Sequence, residues 1–212
     1  MTPDNELPVW PFLPNWREPI TERLSWATVV LSSDSGSEQR FSSRLSPRRE
    51  FEALFHPVNE ARTFFDLFIS TLGGQEMMIP LWHDRHKLTS ALSVGDGRID
   101  CDTEYGEFMD GGMAMLIGDD PWSHKVVEID TVDDTGFTLV ELSDFAWPNG
   151  AVIHPMRSSR IDLEPSMNLL TDSVGEMTLR FILNQAKDLP DLGAWDGVTL
   201  DGLPVLTISS NF

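Results

Sequence analysis

The densest group of side chains that could perform chemistry is His83-Asp84-Arg85-His86. Two imidazoles three residues apart could ligate a metal or serve as general acid and base. The preceding Ile79-Pro80-Leu81-Trp82 predicts a strand that runs into a loop, and on a strand this spacing directs the two rings to opposite faces. Arg85 would also repel a cation. The segment therefore predicts a loop with a structural ion pair, with a small hydrolase built on His83 and His86 as an alternative function.

Other sequence patterns that could carry chemistry are incomplete. Ser123-His124 has no G-x-S-x-G elbow to mark a nucleophile. The acidic run 96–102 is similar to a calcium loop, but Arg98 interrupts it and no bidentate Glu follows at loop spacing. The acids beside Cys101 would raise its thiol pKa, which argues against a reactive thiolate. We therefore predict no catalytic residue, metal or cofactor, although the 34 acidic residues leave a paired-carboxylate hydrolase open.

Composition limits the function classes further. The chain has 212 residues and a formal net charge of -19, which argues against a protein that reads nucleic acid through phosphate contacts. The same acidity would suit the wall of a passage through which DNA slides. A single cysteine excludes an intramolecular disulfide framework. Because no apolar run reaches about 18 residues and no secretory signal opens the chain, we expect no membrane insertion.

The elements that would position these residues are mostly short strands. Residues 1–20 hold five prolines and two tryptophans without periodicity, which predicts an extended arm. That arm packs either on its own domain or on a neighbouring subunit. One helix is predicted at 59–72, capped by Asn59, because its apolar residues recur at helical spacing. Strands are predicted at 21–31, 39–45, 48–55, 77–82 and 174–185 from alternating or continuous apolar residues.

Residues 105–163 change in character. Five short strands recur at spacings of roughly ten residues, separated by acidic and Pro/Gly turns, which predicts a small antiparallel β-barrel-like module inserted in the chain. The strands are predicted at 113–117, 125–131, 137–140, 151–154 and 158–163. The remaining domain would comprise 21–104 and 164–190, followed by a Pro/Gly-rich tail at 191–212.

Four short motifs in this order carry a resemblance to a known class. They are Trp10-Pro11-x-x-Pro14-Asn15-Trp16, Arg44…Pro47-Arg48-Arg49, Ile79-Pro80-Leu81-Trp82 and Trp147-Pro148-x-Gly150-x-x-x-x-Pro155. Together the motifs resemble tail-tip and baseplate proteins of long-tailed bacteriophages, in the neighbourhood of distal tail proteins. The resemblance spans most of residues 10–185, and none of its motifs carries chemistry. It implies a mainly β fold, a β-sandwich with one packed α-helix plus an inserted β module.

The resemblance also implies a function in the virion, after assembly in the host cytoplasm. Such a protein is not an enzyme: it forms a ring of itself, a hexamer or trimer, that joins the tail tube protein to the hub and receptor-binding proteins. Trp10, Phe12, Trp16 and Arg17 are the candidate subunit-interface residues. Four turn acids are candidates for a lumen wall past which DNA moves without specific binding, namely Asp119, Asp120, Asp133 and Asp134.

A second function class stays open beside the ring component. The chain has seven tryptophans, and exposed indole rings can stack on sugars. A carbohydrate- or receptor-binding β module would use Trp82, Trp122 or Trp147 as stacking platforms.

Overall fold

The computed structural model describes residues 7–26, 28–32, 38–42, 47–118, 123–162 and 166–184, with 28–32 and 38–42 described by their backbone. Strands make up 47% of the structure and one helix accompanies them, so the predicted mainly β class with one packed helix is confirmed. In chain order the elements are β1 (Thr21–Ser25), β2 (Thr28–Ser32), β3 (Glu38–Ser42), β4 (Arg48–Phe55), α1 (Glu60–Leu72), β5 (Glu76–Pro80), β6 (His86–Lys87), β7 (Arg98–Asp100), β8 (Met113–Ile117), β9 (His124–Asp133), β10 (Gly136–Leu139), β11 (Val152–Ile161), β12 (Met167–Leu169) and β13 (Gly175–Leu183).

Eleven of these strands form one open antiparallel sheet, with the main path β1-β4-β13-β11-β8-β9-β10-β7. The long strand β11 connects its parts. Residues 152–156 pair with β8 and residues 159–161 with β13, while β6 and β5 pair with β11 as well. The predicted inserted module and the rest of the domain are therefore continuous through β11.

The sequence prediction of two strands at 151–154 and 158–163 was wrong, because β11 runs through Pro155 without a break. The Pro155 carbonyl accepts a hydrogen bond from the Leu81 backbone N–H at 2.9 Å. This contact lies in the gap between β5 and β6, where neither strand pairs with β11. A residue's N and C=O point to the same side of a strand, so proline removes no ladder hydrogen bond here.

Helix α1 packs on the first hydrophobic core. It begins one residue after the predicted start and ends at the predicted Leu72. Asn59 occupies the N-cap position, but its φ is 52° and its side chain makes no capping hydrogen bond. Phe65 and Phe68 are buried and face Trp10 with ring centroids 5.4 Å apart in both pairs. The helical spacing of the apolar residues thus predicted the bounds of the helix to within one residue. The predicted side-chain cap at Asn59 is not formed.

A second hydrophobic core lies under β7–β10 and the first half of β11. Its buried residues run from Leu88 and Leu92 through Ile99 and Cys101 to Ile153. The core therefore draws on residues on both sides of position 105. Burial raises the pKa of the Cys101 thiol to about 12, with Asp100 and Asp102 adding to the effect.

Strands β2 and β3 form a separate two-stranded sheet. The register pairs Thr28 with Ser42 at one end and Ser32 with Glu38 at the other. Two residues connect the end of β1 to β2, and five residues connect the end of β3 to β4. The β2–β3 hairpin is therefore joined to the main sheet at the end of the β1–β4 pair, where Ser25 pairs with Arg48. The predicted strand 21–31 is consequently two strands, and its second half leaves the main sheet.

Candidate interaction site

The N-terminal segment 7–19 is fixed to the sheet by backbone hydrogen bonds. The Trp10 N–H donates to the Met78 carbonyl, and the Met78 N–H donates to the Pro8 carbonyl, each at 2.8 Å. Farther along, the Asn15 N–H donates to the Leu54 carbonyl at 2.6 Å. The segment is therefore extended, as predicted, and lies on its own chain.

Of the four predicted interface residues, two are buried in the core and two are exposed. Trp10 is fully buried and Phe12 is 4% exposed, and both belong to the first hydrophobic core. A side chain enclosed in this way cannot contact a second subunit, so these two are core residues. Trp16 is 59% exposed, and Arg17 reaches only a distant contact with Glu176 at 3.8 Å. Among the four, Trp16 and Arg17 stay available to a neighbouring molecule.

Trp16 stands in a tight turn beside a cleft of about 360 Å³. The Arg17 N–H donates to the Asn15 side-chain oxygen, which holds this turn. The cleft, called the Trp16 cleft below, is lined by Leu13, Trp16, Trp82, Arg85, Ile117, Gly118, Val152 and His154. It thus forms where the N-terminal segment, the loop after β5, the end of β8 and the start of β11 meet.

Two polar side chains distinguish the Trp16 cleft from a plain apolar depression. Arg85 is exposed and makes no ion pair with the residues that the structure describes. The Nδ1 of His154 lies 3.1 Å from both the Leu81 and Asp84 carbonyl oxygens. Because both are acceptors, Nδ1 carries the proton and the other ring nitrogen, Nε2, is an acceptor in neutral His154. Burial lowers the pKa of His154 to about 4, so the ring is neutral near pH 7.

The side chains of the His83–His86 segment take part in a network of polar and ring contacts. His86 Nε2 lies 2.6 Å from Asp84 Oδ1, a short polar contact in the segment where the sequence predicts a structural ion pair without naming its partners. The second carboxylate oxygen of Asp84 accepts the Glu107 backbone N–H. His83 stacks on Phe51 with the ring centroids 5.0 Å apart. Both histidines are thus occupied in contacts that hold the loop.

Arg49 lies at the buried end of this network, and sequence reasoning did not find it. Its guanidinium is fully buried, donates twice to the Glu107 carboxylate, and donates once to Glu22 at 2.7 Å. Burial alone would lower the pKa of Arg49, but the bonds to Glu107 and Glu22 outweigh it and the pKa is raised. Arg157 donates to the Glu107 backbone carbonyl at 2.6 Å. Residues 49 and 107 are far apart in sequence, so no local signal reveals the pair.

The structure also locates two of the four predicted lumen acids. The carboxylate of Asp133 accepts hydrogen bonds from both terminal nitrogens of Arg98, at 2.6 and 2.8 Å. These bonds hold the pKa of Asp133 well below its usual range. Asp134 is exposed in the turn between β9 and β10. Asp119 and Asp120 lie outside the described residues. Both acids are exposed, but the charge of Asp133 is paired with Arg98 in the β9–β10 hairpin.

The same residues explain the acidic run 96–102. Arg98 donates to Asp100 at 2.8 Å as well as to Asp133, so the arginine fills the position that a cation would take. Among the described residues, no group of three or more His, Cys, Asp or Glu could hold a metal ion.

The tryptophans proposed as sugar platforms take different positions. Trp82 is 2% exposed and presents no open ring face, whereas Trp147 is partly buried and packs against the second core. Trp122 lies outside the described residues. Trp16 and Trp26 are each 59% exposed. Of the three predicted platforms, one is buried, one is partly buried and one is not described, because the composition of the flanking sequence does not report solvent exposure.

In the described part of the chain, no helix is long and apolar enough to span a membrane. Comparison with protein-family models and with curated protein sequences gave no match to this chain.

Proposed function

We propose that this chain is a structural virion protein of a phage tail tip or baseplate. In this proposal copies of the chain form a ring, a hexamer or trimer, that connects the tail tube protein to the hub and receptor-binding proteins. The protein assembles in the host cytoplasm, is not an enzyme and uses no cofactor. The observation that carries the proposal is the β2–β3 hairpin, which lies between β1 and β4 in the chain and forms a sheet of its own.

An isolated two-stranded hairpin is marginally stable in water, so it gains stability when another surface covers it. The register pairs Val29 with Phe41 and Leu31 with Gln39, which places three large apolar residues at positions of one hairpin face. Residues 28–46 contain two arginines, Arg40 and Arg44, and two acids, Asp34 and Glu38. The hairpin, residues 28–42, holds one arginine and two acids and thus carries a formal charge of only -1 within a strongly acidic chain, so a second copy would repel it weakly.

The edge strand β1 of the main sheet also supports contact between copies of the chain. β1 ends the path of paired strands in the described sheet, and an unpaired edge invites pairing with another chain. Leu24 on β1 is 50% exposed, and Trp26 just beyond it is 59% exposed. In the proposed ring, the hairpin of one copy would contact a different surface of the next copy, and such a head-to-tail contact closes a ring when its rotation closes.

The charge of the chain fits a ring around DNA. Acidic side chains on an inner wall would repel phosphate and let DNA pass without binding. In the proposed ring the exposed Asp134 is a lumen candidate, together with Asp119 and Asp120 in the sequence. Asp133 contributes less free charge, because Arg98 is bound to it.

The test is the mass of the full chain in solution, measured by light scattering and native mass spectrometry at two concentrations. We expect a closed species of three or six subunits. The double variant Val29→Glu/Phe41→Glu should reduce it to a monomer, because two buried charges would oppose covering of the hairpin face.

Leu142→Glu is the matched control, since Leu142 is 69% exposed and lies after β10, in the part of the chain that forms the second core. This variant should keep the wild-type mass. A wild-type chain that is monomeric at every concentration would contradict self-assembly into a ring. A hairpin double variant that keeps the full ring would instead contradict the role of the hairpin.

A further inference from the structure

The Trp16 cleft combines three recognition groups that the ring proposal does not use. Trp16 offers an indole ring that is 59% exposed, and Leu13 beside it is 41% exposed. Arg85 supplies a guanidinium without an ion pair among the described residues. His154 supplies an imidazole whose Nδ1 is already bonded to two backbone carbonyls. Ligand sites commonly have this composition, with apolar walls and a few convergent polar groups.

Each group selects a different part of a ligand. An exposed indole stacks on a flat, partly apolar ring. A guanidinium pairs with a carboxylate through two parallel hydrogen bonds, which are stronger than neutral ones. The Nε2 atom of neutral His154 accepts a hydrogen bond, so it suits a hydroxyl donor. The three requirements together describe a ring that carries both a carboxylate and hydroxyl groups.

The size of the cleft limits the ligand further. A volume of about 360 Å³ is at the lower end of ligand sites, which run from about 300 to 1,000 Å³. It accommodates one ring rather than a helix or a long peptide. Trp82 also lines the cleft, and its buried indole N–H has no hydrogen-bond partner among the described residues. Trp82 thus adds apolar surface to the cleft, while Arg85 supplies the exposed hydrogen-bond donors for a single compact unit.

We propose that the Trp16 cleft binds an acidic sugar, a hexuronic acid unit, which stacks on Trp16 and places its carboxylate on Arg85. A hydroxyl of the sugar donates to His154. The ligand would be one residue of an anionic glycan. This binding function is separate from ring formation: the hairpin and the cleft lie on different parts of the chain, and either proposal can fail alone.

The test is a titration of the full chain with glucuronate and galacturonate, followed by ligand-observed NMR and calorimetry at pH 7. Glucose is the neutral sugar for comparison, and phenylacetate is a ring carboxylate without hydroxyl groups. We expect saturable binding of at least one uronate. Glucose and phenylacetate should each bind at least about tenfold more weakly, since each lacks one of the interacting groups.

Variants of exposed residues test the geometry without disturbing the core. Trp16→Ala should abolish detectable binding, and Arg85→Gln should weaken it at least about tenfold, with Arg85→Lys keeping part of the affinity. Trp26→Ala is the matched control, because Trp26 has the same exposed fraction as Trp16 but lies outside the cleft lining. It should bind like the wild type.

Four results would overturn the acidic-sugar assignment. The first is that neither uronate binds at about 50 mM, which is far above the ~1 mM dissociation constant of a weak site. The second and third are that glucose binds as tightly as the uronates or that phenylacetate binds more tightly than they do. The fourth is that the Arg85→Gln variant binds the uronate with unchanged affinity. Circular dichroism and urea midpoints of each variant check that the fold is retained, so that lost binding reports on the cleft.

Discussion

At the scale of single residues, His154 shows how a buried polar group can hold two elements together. It lies in β11 and its Nδ1 contacts the carbonyl oxygens of Leu81 and Asp84, in the loop after β5. Asp84 in turn contacts His86 and the Glu107 backbone. The loop that forms one wall of the Trp16 cleft is thus held by hydrogen bonds on both sides.

The histidine gives the folded state a dependence on pH. Burial lowers the pKa of His154 from 6.5 to about 4, so between these values the unfolded chain binds a proton that the folded chain does not. The unfolding free energy therefore falls as the pH drops through this window, by about 2 kcal/mol from pH 6.5 to pH 5. Urea unfolding at pH 7, 6 and 5 measures the effect.

His154→Asn keeps a donor near the position of Nδ1 and cannot be protonated. Its unfolding free energy should lose about 2 kcal/mol less than that of the wild type between pH 6.5 and pH 5. Identical slopes for the wild type and His154→Asn would show that His154 is not the titrating group.

Residue-scale contacts could be predicted from the sequence only when the partners are close in the chain. Asp84 and His86 are two residues apart, and the segment alone predicted a structural ion pair in this loop, although not which residues form it. The Arg49–Glu107 pair joins residues 58 positions apart, and the Arg98–Asp133 pair joins residues 35 apart. Such pairs depend on strand order, which local patterns do not determine.

At the scale of elements, the N-terminal segment is part of the first hydrophobic core. The Trp10 ring lies 5.1–5.4 Å from five phenylalanine rings, two from α1, two from the sheet and one from the segment itself. The segment therefore joins the helix to the sheet. Deleting residues 1–19 would remove this contact and unfold the chain, so such a deletion cannot test subunit assembly.

Trp10→Ala should destabilise the fold by about 3–5 kcal/mol, because it removes a fully buried aromatic side chain and leaves a cavity between α1 and the sheet. Trp16→Ala, in the same segment, should stay within about 0.5 kcal/mol of the wild type because its ring is mostly in solvent. Urea unfolding followed by circular dichroism compares the two variants. Equal destabilisation by both would argue against this division of the segment into a core part and a surface part.

Elements with a strong periodic pattern were predicted within a few residues. Helix α1 and strands β4, β8 and β13 follow from their apolar periodicity. The short strands β6, β7 and β12 have two or three residues each, too few for any period to show. The hairpin turn at Gly136 was predicted from its residue types, and the structure adds a reason. A Cβ there would collide with the Ile99 carbonyl on β7, and φ is 154°.

At the scale of the whole molecule, one open sheet carries two hydrophobic cores. The sequence placed a module boundary at 105, because turn signals become regular there. The second core also uses Leu88, Leu92, Ile99 and Cys101, which come earlier in the chain. Turn-forming residues in the sequence indicate where strands end, but the extent of a core depends on which strands pair. Here β11 pairs with β13 and with β8, and so with strands on both sides of the predicted boundary.

The net charge of the chain predicts how self-association depends on salt. Each copy carries a formal charge of -19, so bringing copies together costs electrostatic free energy that the weakly charged hairpin reduces only locally. The Debye length falls from about 10 Å at 0.1 M salt to about 3 Å at 1 M. Added salt should therefore screen this repulsion and strengthen self-association, while the apolar contacts of the hairpin are preserved.

Light scattering at 0.1, 0.3 and 1 M salt measures this effect at a protein concentration near the midpoint of assembly. The average mass should rise with salt for the wild type and stay monomeric for Val29→Glu/Phe41→Glu. If the mass instead falls as salt is added, ion pairs rather than apolar contacts hold the subunits together. In that case Arg17, Arg40 and Arg44, rather than Val29 and Phe41, become the residues to substitute, since exposed ion pairs weaken under screening.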